Sequence, residues 1–280
     1  MQERQTPTTF QIWTKALELL SKQFKPISKV AALCFFTPYL ASMLLFAWQS
    51  TYTVSQISEI KHQDYTSILG PTYTFLIFAS LTSLLVLALG IAGFTAIAQI
   101  ASAVYKEEES SPEEAIKFGL KKAFPHGLVI VIFASLMSLE HAFLGPFRIF
   151  TLFSLMAIVI MVNDKKGCLG SLKHAMLFKY SSPIHGGGFS AAFVIIGLGA
   201  LVFACEYSLG FIYEVLLHAD EYLSLSRLPW STTMPLLPFS PMYLLANISY
   251  AFGVTLILSV VACYLVSLYY SVRSRINHMV

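Results

Sequence analysis

Long apolar segments separated by polar ones dominate the pattern of hydrophobic positions along the chain. A helix needs about 20 apolar residues to cross the hydrocarbon core of a bilayer. The pattern therefore predicts an all-α polytopic membrane protein, with six transmembrane helices in a single membrane domain over residues 1–280. The predicted spans are 30–48, 74–104, 128–147, 149–162, 189–217 and 243–270.

The third and fourth apolar segments are shorter than the others. The apolar run of the third ends at Leu139, before Glu140 and His141, and the fourth covers only 149–162. Each apolar run is therefore shorter than the ~18 residues that indicate a span. Two interpretations fit this pattern: two short spans with polar residues near the outer interface, or a re-entrant hairpin that enters from the inner side. In both, the flanking chain stays on one side of the membrane.

Amphipathic helices are predicted before the first and third spans. Apolar residues at helical spacing between positions 10 and 24 indicate a helix along the inner membrane surface, ended by Pro26. Before the third span, Ser111 is a good N-cap, Pro112 suits the first helical position and Glu114 completes a capping box. A short surface helix should therefore begin at this point.

Three stretches of thirteen residues resemble one another, and each precedes a predicted hairpin of two spans. They cover 14–26, 113–125 and 171–183. Each ends on a proline and has a lysine four residues earlier, namely Lys22, Lys121 and Lys179. We interpret the unit as a cytosolic amphipathic helix whose proline turns the chain into the bilayer, followed by a hairpin. Three such units predict an internal repeat; the alternative is that shared juxtamembrane composition produces the likeness.

Small residues recur at every fourth position of the second span, at Ala88, Ala92 and Ala96. Such a ridge predicts the close approach of another helix, because small side chains allow two backbones to come together. The apolar segment that contains it, 74–104, is longer than one crossing requires. It should therefore tilt or protrude into the cytosol.

Composition supports the bilayer interpretation. The chain is 56% hydrophobic and 12% charged, whereas soluble proteins carry about 25% charged residues. So little charge cannot cover a surface that faces water. The net charge of +3 is too small to suggest a nucleic-acid partner.

The basic residues predict the orientation in the membrane. Fifteen of the 18 lysines and arginines lie before span one, between spans two and three, between spans four and five, and after span six. Cytosolic segments carry such an excess of basic residues. Both termini are therefore predicted to be cytosolic.

No sequence motif for catalysis or for a cofactor is present. Nucleophile-elbow, metalloprotease and Walker patterns are absent, and the glycines at 186–188 lack the lysine and hydroxyl of a phosphate loop. The cysteines have no metal-binding spacing and are interpreted as packing thiols. They are Cys34, Cys168, Cys205 and Cys263. We predict a protein that is not an enzyme and that uses no metal or cofactor.

Four lysines are candidate ligands for the headgroups of anionic lipids, since each basic residue near such a surface contributes about 1 kcal/mol. They are Lys22, Lys121, Lys173 and Lys179. The alternative is that these charges only set the topology.

Three polar residues at the ends of the predicted spans are candidate intramembrane or interface groups. They are Glu140, His141 and Glu206. Ionisable side chains inside a bilayer are costly and usually functional. The alternative is that they mark the water-exposed ends of the helices.

The run from about Gly90 to Pro183 resembles the YciC-type family of six-span bacterial inner-membrane proteins. The matching features are the segments AGFTAIAQIASAV (92–104) and VNDKKGCLGSLKHAM (162–176), with a short charged helix and paired short spans between them. That family is related to the membrane domain that precedes the catalytic barrel in some glycerophosphodiester phosphodiesterases. The chain has no room for such a barrel, which needs about 250 residues. The resemblance implies a location in the bacterial inner membrane.

Two functions compete at this point. The first is a non-enzymatic protein that handles membrane lipid or supports the envelope, with lipids as partners. The second is a transporter, or an accessory subunit of one, that uses the short third and fourth segments as a gate. Half-spans favour transport, whereas a sealed helix core with lipid in lateral grooves favours lipid handling. A membrane-protein partner and a homo-oligomer are both compatible with this sequence.

Overall fold

A computed structural model describes residues 9–59, 65–143, 149–164, 167–177, 183–184, 189–223 and 241–279. The described chain is almost entirely α-helical, which confirms the all-α prediction. Within it, a short antiparallel ladder pairs β1 (Pro183–Ile184) with β2 (Phe189–Ser190).

Nine α-helices follow one another along the described chain. They are α1 (Thr9–Lys22), α2 (Phe24–Ala31), α3 (Thr37–Glu59), α4 (Tyr65–Lys106), α5 (Pro112–Phe143), α6 (Ile149–Asp164), α7 (Cys168–Leu177), α8 (Ala191–Leu223) and α9 (Pro241–Met279). A π-helical segment, Ala32–Phe36, joins α2 to α3 without a break. At α5, the Ser111 hydroxyl accepts a hydrogen bond from the Glu114 N–H at 3.2 Å, which confirms the predicted N-cap.

Four stretches of the described residues are long and apolar enough to cross a membrane. They are Phe24–Gln49, Gly70–Lys106, Gly197–Leu216 and Tyr243–Arg273. These stretches correspond to the predicted first, second, fifth and sixth spans. The chain therefore has the helices expected of a membrane protein.

The predicted third and fourth spans fall on α5 and α6. Residues 128–143 form the second half of α5, and 144–148 lie outside the described residues. Helix α6 has 16 residues, and its described apolar stretch, Leu152–Asp164, is shorter than a bilayer crossing. Six spans, the re-entrant hairpin and the repeat therefore stay predictions.

The apolar face of α1 is buried by protein. Ile12, Ala16 and Leu19 are at most 4% exposed. Trp13 of the same helix packs against Tyr264 of α9, with ring centroids 4.4 Å apart and the ring planes tilted by 42°. The predicted amphipathic helix is confirmed, but its apolar face covers α9 and does not lie in the membrane interface. The apolar side chains of α9 give α1 a fixed surface for van der Waals contact, whereas lipid headgroups are mobile.

The three prolines of the predicted repeat occupy different structural positions. Pro26 lies in the first turn of α2, where N–H groups have no intrahelical acceptor, and α1 already ends at Lys22. Pro183 lies in β1. Pro125 lies inside α5, which continues to Phe143, so the prediction that this proline turns the chain is wrong. A proline inside a helix removes one backbone hydrogen bond, whereas a break in a membrane exposes several unpaired groups.

Helices α4 and α5 approach each other closely along the predicted ridge of small residues. Ala92 and Ala96 are fully buried, whereas Ala88 is exposed. A Cβ added at Gly119 of α5 would lie 2.2 Å from the Ala92 carbonyl oxygen, so glycine is needed at this contact. Further along the pair, a hydrogen bond of 2.9 Å joins the buried side chains of Thr95 and His126.

The core is concentrated at one end of the bundle. Contacts among α4, α6 and α9 bring the helix ends with Lys106, Asp164 and Arg273 together, and we name this the basic end. The most buried segments lie in the half nearest to it. We name the opposite end of the bundle the far end. Toward it, α4 exposes large apolar side chains such as Leu81 and Leu84. An exposed apolar surface of this kind suits contact with lipid.

Candidate functional site

A polar cluster ties α6 to α9 at the basic end. Arg273 forms an ion pair with Asp164, with a nitrogen–oxygen distance of 2.9 Å. The Tyr269 hydroxyl donates a hydrogen bond of 2.5 Å to the same Asp164 oxygen and accepts one of 2.6 Å from Arg273. The Asp164 carboxylate therefore has two donors from one face of α9.

A second set of hydrogen bonds adds α4 to this cluster. The Asn163 amide donates to the Ser102 hydroxyl at 3.0 Å and accepts from the Tyr270 hydroxyl at 2.8 Å. The Tyr105 hydroxyl donates to Ser267 at 3.0 Å, and the rings of Tyr105 and Tyr270 stack 4.4 Å apart. These described groups satisfy one another, so the cluster holds α4, α6 and α9 together.

The larger of two neighbouring cavities lies between the α2–α3 junction, α4, α6 and α9. Its volume is about 260 Å³. Its walls are almost wholly apolar, apart from the hydroxyls of a tyrosine and a threonine and one thiol. The described lining residues are Cys34, Phe35, Tyr39, Val86, Leu87, Gly90, Ile91, Phe94, Leu155, Ile158, Val254, Thr255 and Leu258.

Helix α6 contributes Leu155 and Ile158 to the wall of this cavity, together with Val254, Thr255 and Leu258 of α9. At Gly90 of α4 the wall lacks a side chain, and a Cβ added there would meet no atom within 4 Å.

A smaller cavity of about 80 Å³ lies beside the larger one, between α6, α8 and α9, and Glu206 lines it. The other described lining residues are Leu152, Leu155, Val202, Val254, Ile257, Leu258 and Val261. Three of them, Leu155, Val254 and Leu258, also line the larger cavity. The Glu206 side chain is thus one layer of apolar side chains away from the larger cavity.

Glu206 lies near the middle of α8, within the apolar stretch Gly197–Leu216. Its cavity neighbour Ile257 is 16 residues before Arg273 on α9, which is about 24 Å along the helix. The hydrocarbon core of a bilayer is about 30 Å thick. Helix α8 continues beyond Glu206 to Leu223, and the two interpretations of Glu206, an intramembrane group and a group at the water-exposed end of a span, both stay predictions.

Three tyrosines lie next to these cavities. Tyr39 lines the larger cavity, and its ring stacks on Tyr250 at a centroid distance of 5.9 Å. Tyr213 of α8 meets the edge of Tyr250 at 5.7 Å. Glu206 lines the smaller cavity, which shares Leu155, Val254 and Leu258 with the cavity that Tyr39 lines. A carboxylate and aromatic rings thus surround one region of apolar space.

The candidate lysine Lys22 already has an anionic partner. Its ammonium lies 2.7 Å from the carboxylate of Glu18, and both side chains are more than half exposed. The hydrogen bond and the positive charge of Lys22 lower the pKa of the Glu18 carboxyl. Exposed pairs of this kind exchange readily with solvent and contribute little to stability.

The other candidate lysines are not assembled into a pocket. Lys121 on α5 and Lys173 on α7 are exposed, and Lys179 lies outside the described residues. None of the described lysines of this set lines either cavity. Glu140 and His141 lie in the last turn of α5, and their side chains are also outside the described part of the chain.

Exposed aromatic and basic side chains share the surface formed by α2 and α5. An ion pair of 3.9 Å between Lys29 and Glu113 joins the two helices. Phe24 and Phe124 are 64% and 79% exposed, and Lys121 is exposed one turn before Phe124. Such a mixture is typical of a surface at the boundary between headgroups and acyl chains.

The cysteines have no part in these sites except at one wall. All four are free thiols, and Cys34 lines the larger cavity. On α7, burial raises the pKa of the Cys168 thiol. A protonated thiol is a poor nucleophile, which is consistent with a packing role.

Sequence reasoning did not single out the tyrosines of the polar cluster. Asn163 and Asp164 gave a usable signal, because they end an otherwise apolar run and need partners. Neither cavity has a signal in the sequence, since apolar lining residues look the same as apolar core residues.

No family model, no curated protein and no solved structure matches the chain. Function must therefore be inferred from the residues and geometry of the chain itself.

Proposed function

We propose that this chain is a non-enzymatic membrane protein that handles lipid, with an acyl chain bound in the larger cavity. The observation that carries the proposal is a cavity of about 260 Å³ with apolar walls, bordered by helices apolar enough to cross a membrane. Water does not fill such a space, because it needs polar partners. Acyl chains are the apolar ligands that a bilayer supplies in excess.

The surface of the basic end supports the same proposal. Exposed lysines and aromatic residues on α2 and α5 suit the headgroup region of an anionic membrane. The distribution of basic residues favours a cytosolic location for this end and for both termini. The resemblance to YciC-type proteins favours a location in the bacterial inner membrane.

Filling the larger cavity should displace the lipid. Gly90 lines the cavity, and a Cβ added there meets no atom within 4 Å, so Gly90→Leu projects a side chain into free space. We expect the lipid retained by the purified protein, measured by native mass spectrometry after mild detergent extraction, to fall about tenfold, the equivalent of 1.4 kcal/mol.

Gly70→Leu is the matched control. Gly70 lies on the same helix, has no atom within 4 Å of an added Cβ, and is absent from the described cavity walls. We expect this variant to retain lipid as the wild type does. Equal lipid retention by Gly90→Leu and the wild type would show that the cavity does not hold an acyl chain.

Transport is the second candidate function, and the position of Glu206 favours it. A carboxylate within the hydrocarbon thickness is a typical element of a substrate or ion pathway. Accumulation of a labelled substrate in proteoliposomes would support transport. Retention of lipid without any such accumulation would favour the first proposal.

A further inference from the structure

We propose that Glu206 and the neighbouring tyrosines recognise the ammonium group of an amphiphile whose apolar tail lies in the larger cavity. This inference rests on the proposed lipid-handling function and names the class of ligand for the same site. The ligand class is an amine attached to an acyl or alkyl chain, either an ethanolamine lipid or a free cationic amphiphile.

The charge of the site is the first argument. Among the described residues that line the two cavities, Glu206 is the only charged one. A carboxylate surrounded by apolar side chains favours a cation nearby, because the low local dielectric strengthens their attraction. An anionic headgroup would be repelled from the same position.

The geometry of the two cavities is the second argument. They are separated by Leu155, Val254 and Leu258, which line both. A ligand with its tail in the larger cavity therefore has its polar end within reach of Glu206 once these side chains change rotamer. Leucine and valine rotamers interconvert without movement of the backbone.

The aromatic residues are the third argument. Tyr39 lines the larger cavity and continues through Tyr250 to Tyr213. Tyrosine ring faces attract ammonium groups, including methylated ones, when the cation lies within about 6 Å of the ring centroid. Aromatic faces recognise quaternary ammonium ligands in proteins, and here the Glu206 carboxylate lines the neighbouring cavity.

The test compares a cationic and a neutral amphiphile that share one tail. The purified full chain is equilibrated with tetradecyltrimethylammonium or with tetradecyl maltoside, and retention is measured by native mass spectrometry. We expect the wild type to retain the cationic probe about tenfold more strongly than the neutral one, because a charge-assisted contact with Glu206 adds to the affinity. Glu206→Gln should abolish this preference, and Glu206→Asp should keep most of it.

Glu214→Gln is the matched control for charge. Glu214 lies on the same helix and is exposed, so its loss should leave the preference unchanged. If Glu206→Gln keeps the preference, or if Glu214→Gln loses it equally, the proposed role of Glu206 is wrong.

A measurement on the wild type covers the case in which Glu206→Gln does not fold. A hydrophobic carbodiimide labels carboxylic acids in apolar surroundings, and the labelled peptide containing Glu206 can be quantified. Tetradecyltrimethylammonium should reduce this labelling several fold, whereas tetradecyl maltoside should not. Equal labelling with both probes would overturn the proposal.

A second experiment decides whether the amine belongs to a lipid. The protein is placed in nanodiscs that contain phosphatidylethanolamine and phosphatidylglycerol with identical acyl chains, and the lipids that it retains are measured. Enrichment of phosphatidylethanolamine that is lost in Glu206→Gln identifies a lipid ligand. Equal retention of both lipids, with preference for the cationic probe, identifies a free cationic amphiphile. Both results support recognition of an ammonium group.

The two proposals can fail separately. If Gly90→Leu loses lipid but Glu206→Gln keeps the wild-type preference, the cavity binds acyl chains without selecting an amine. If Gly90→Leu retains lipid but Glu206→Gln loses the preference for the cationic probe, the tail does not occupy the larger cavity and the lipid-handling proposal fails.

Discussion

Gly119→Ala should destabilise the protein, although it adds only one methyl group. The new Cβ would lie 2.2 Å from the carbonyl oxygen of Ala92, and that oxygen belongs to the backbone of α4, so it cannot move away independently. Relief requires that α4 and α5 separate. Overpacking of this kind costs about 1–3 kcal/mol, which should appear as a lower melting temperature in detergent.

Gly127→Ala is the control on the same helix, and it should have the opposite effect. The nearest atom to a Cβ added at Gly127 is the flexible end of Ile91, at 3.4 Å. Replacing glycine by alanine inside a helix gains up to about 1 kcal/mol when nothing clashes. If Gly119→Ala melts at the wild-type temperature, α4 and α5 do not make the close contact described.

Asp164→Ala should detach the basic end of α9 from α6. The substitution leaves the Arg273 guanidinium and the Tyr269 hydroxyl without their shared acceptor. Asp164 is only 20% exposed, whereas Arg273 is 44% exposed and can partly recover hydration. We expect a loss of about 1–3 kcal/mol, the range for unsatisfied groups of this kind, measured by thermal unfolding in detergent.

Tyr269→Phe tests whether the loss comes from the cluster. It removes one donor to Asp164 and keeps the aromatic ring, so it should cost less than Asp164→Ala. In the double variant the two losses should not add, because both act on the same hydrogen bond. Strict additivity would show that Asp164 and Tyr269 stabilise the fold independently.

Much of the helical architecture could be predicted from the sequence because it depends on local properties. The long apolar runs predict the four membrane-length helices, and periodic apolar residues predict α1. The Ser111 cap was predicted because an N-cap uses only residues within one turn. The ridge around Ala92 predicted a close helix contact, although it did not name Gly119 as the partner.

The candidate site was predicted less well, because its residues come from distant parts of the chain. Glu206 was a candidate from its charge and its place near an apolar run, whereas its position in the wall of a cavity depends on how α6, α8 and α9 pack. Tyr39, Tyr213 and Tyr250 meet only after α3, α8 and α9 are packed.

By itself, the sequence determined the helical membrane class and the basic end of the bundle, because hydropathy, caps and charge act within a few residues. Only the tertiary structure decided that α1 covers α9, that α5 continues through Pro125, and that two neighbouring cavities lie beside α6, the smaller of them lined by Glu206. These features depend on which apolar surfaces meet. Many apolar side chains satisfy the same hydropathy pattern, but only their packing determines where space remains.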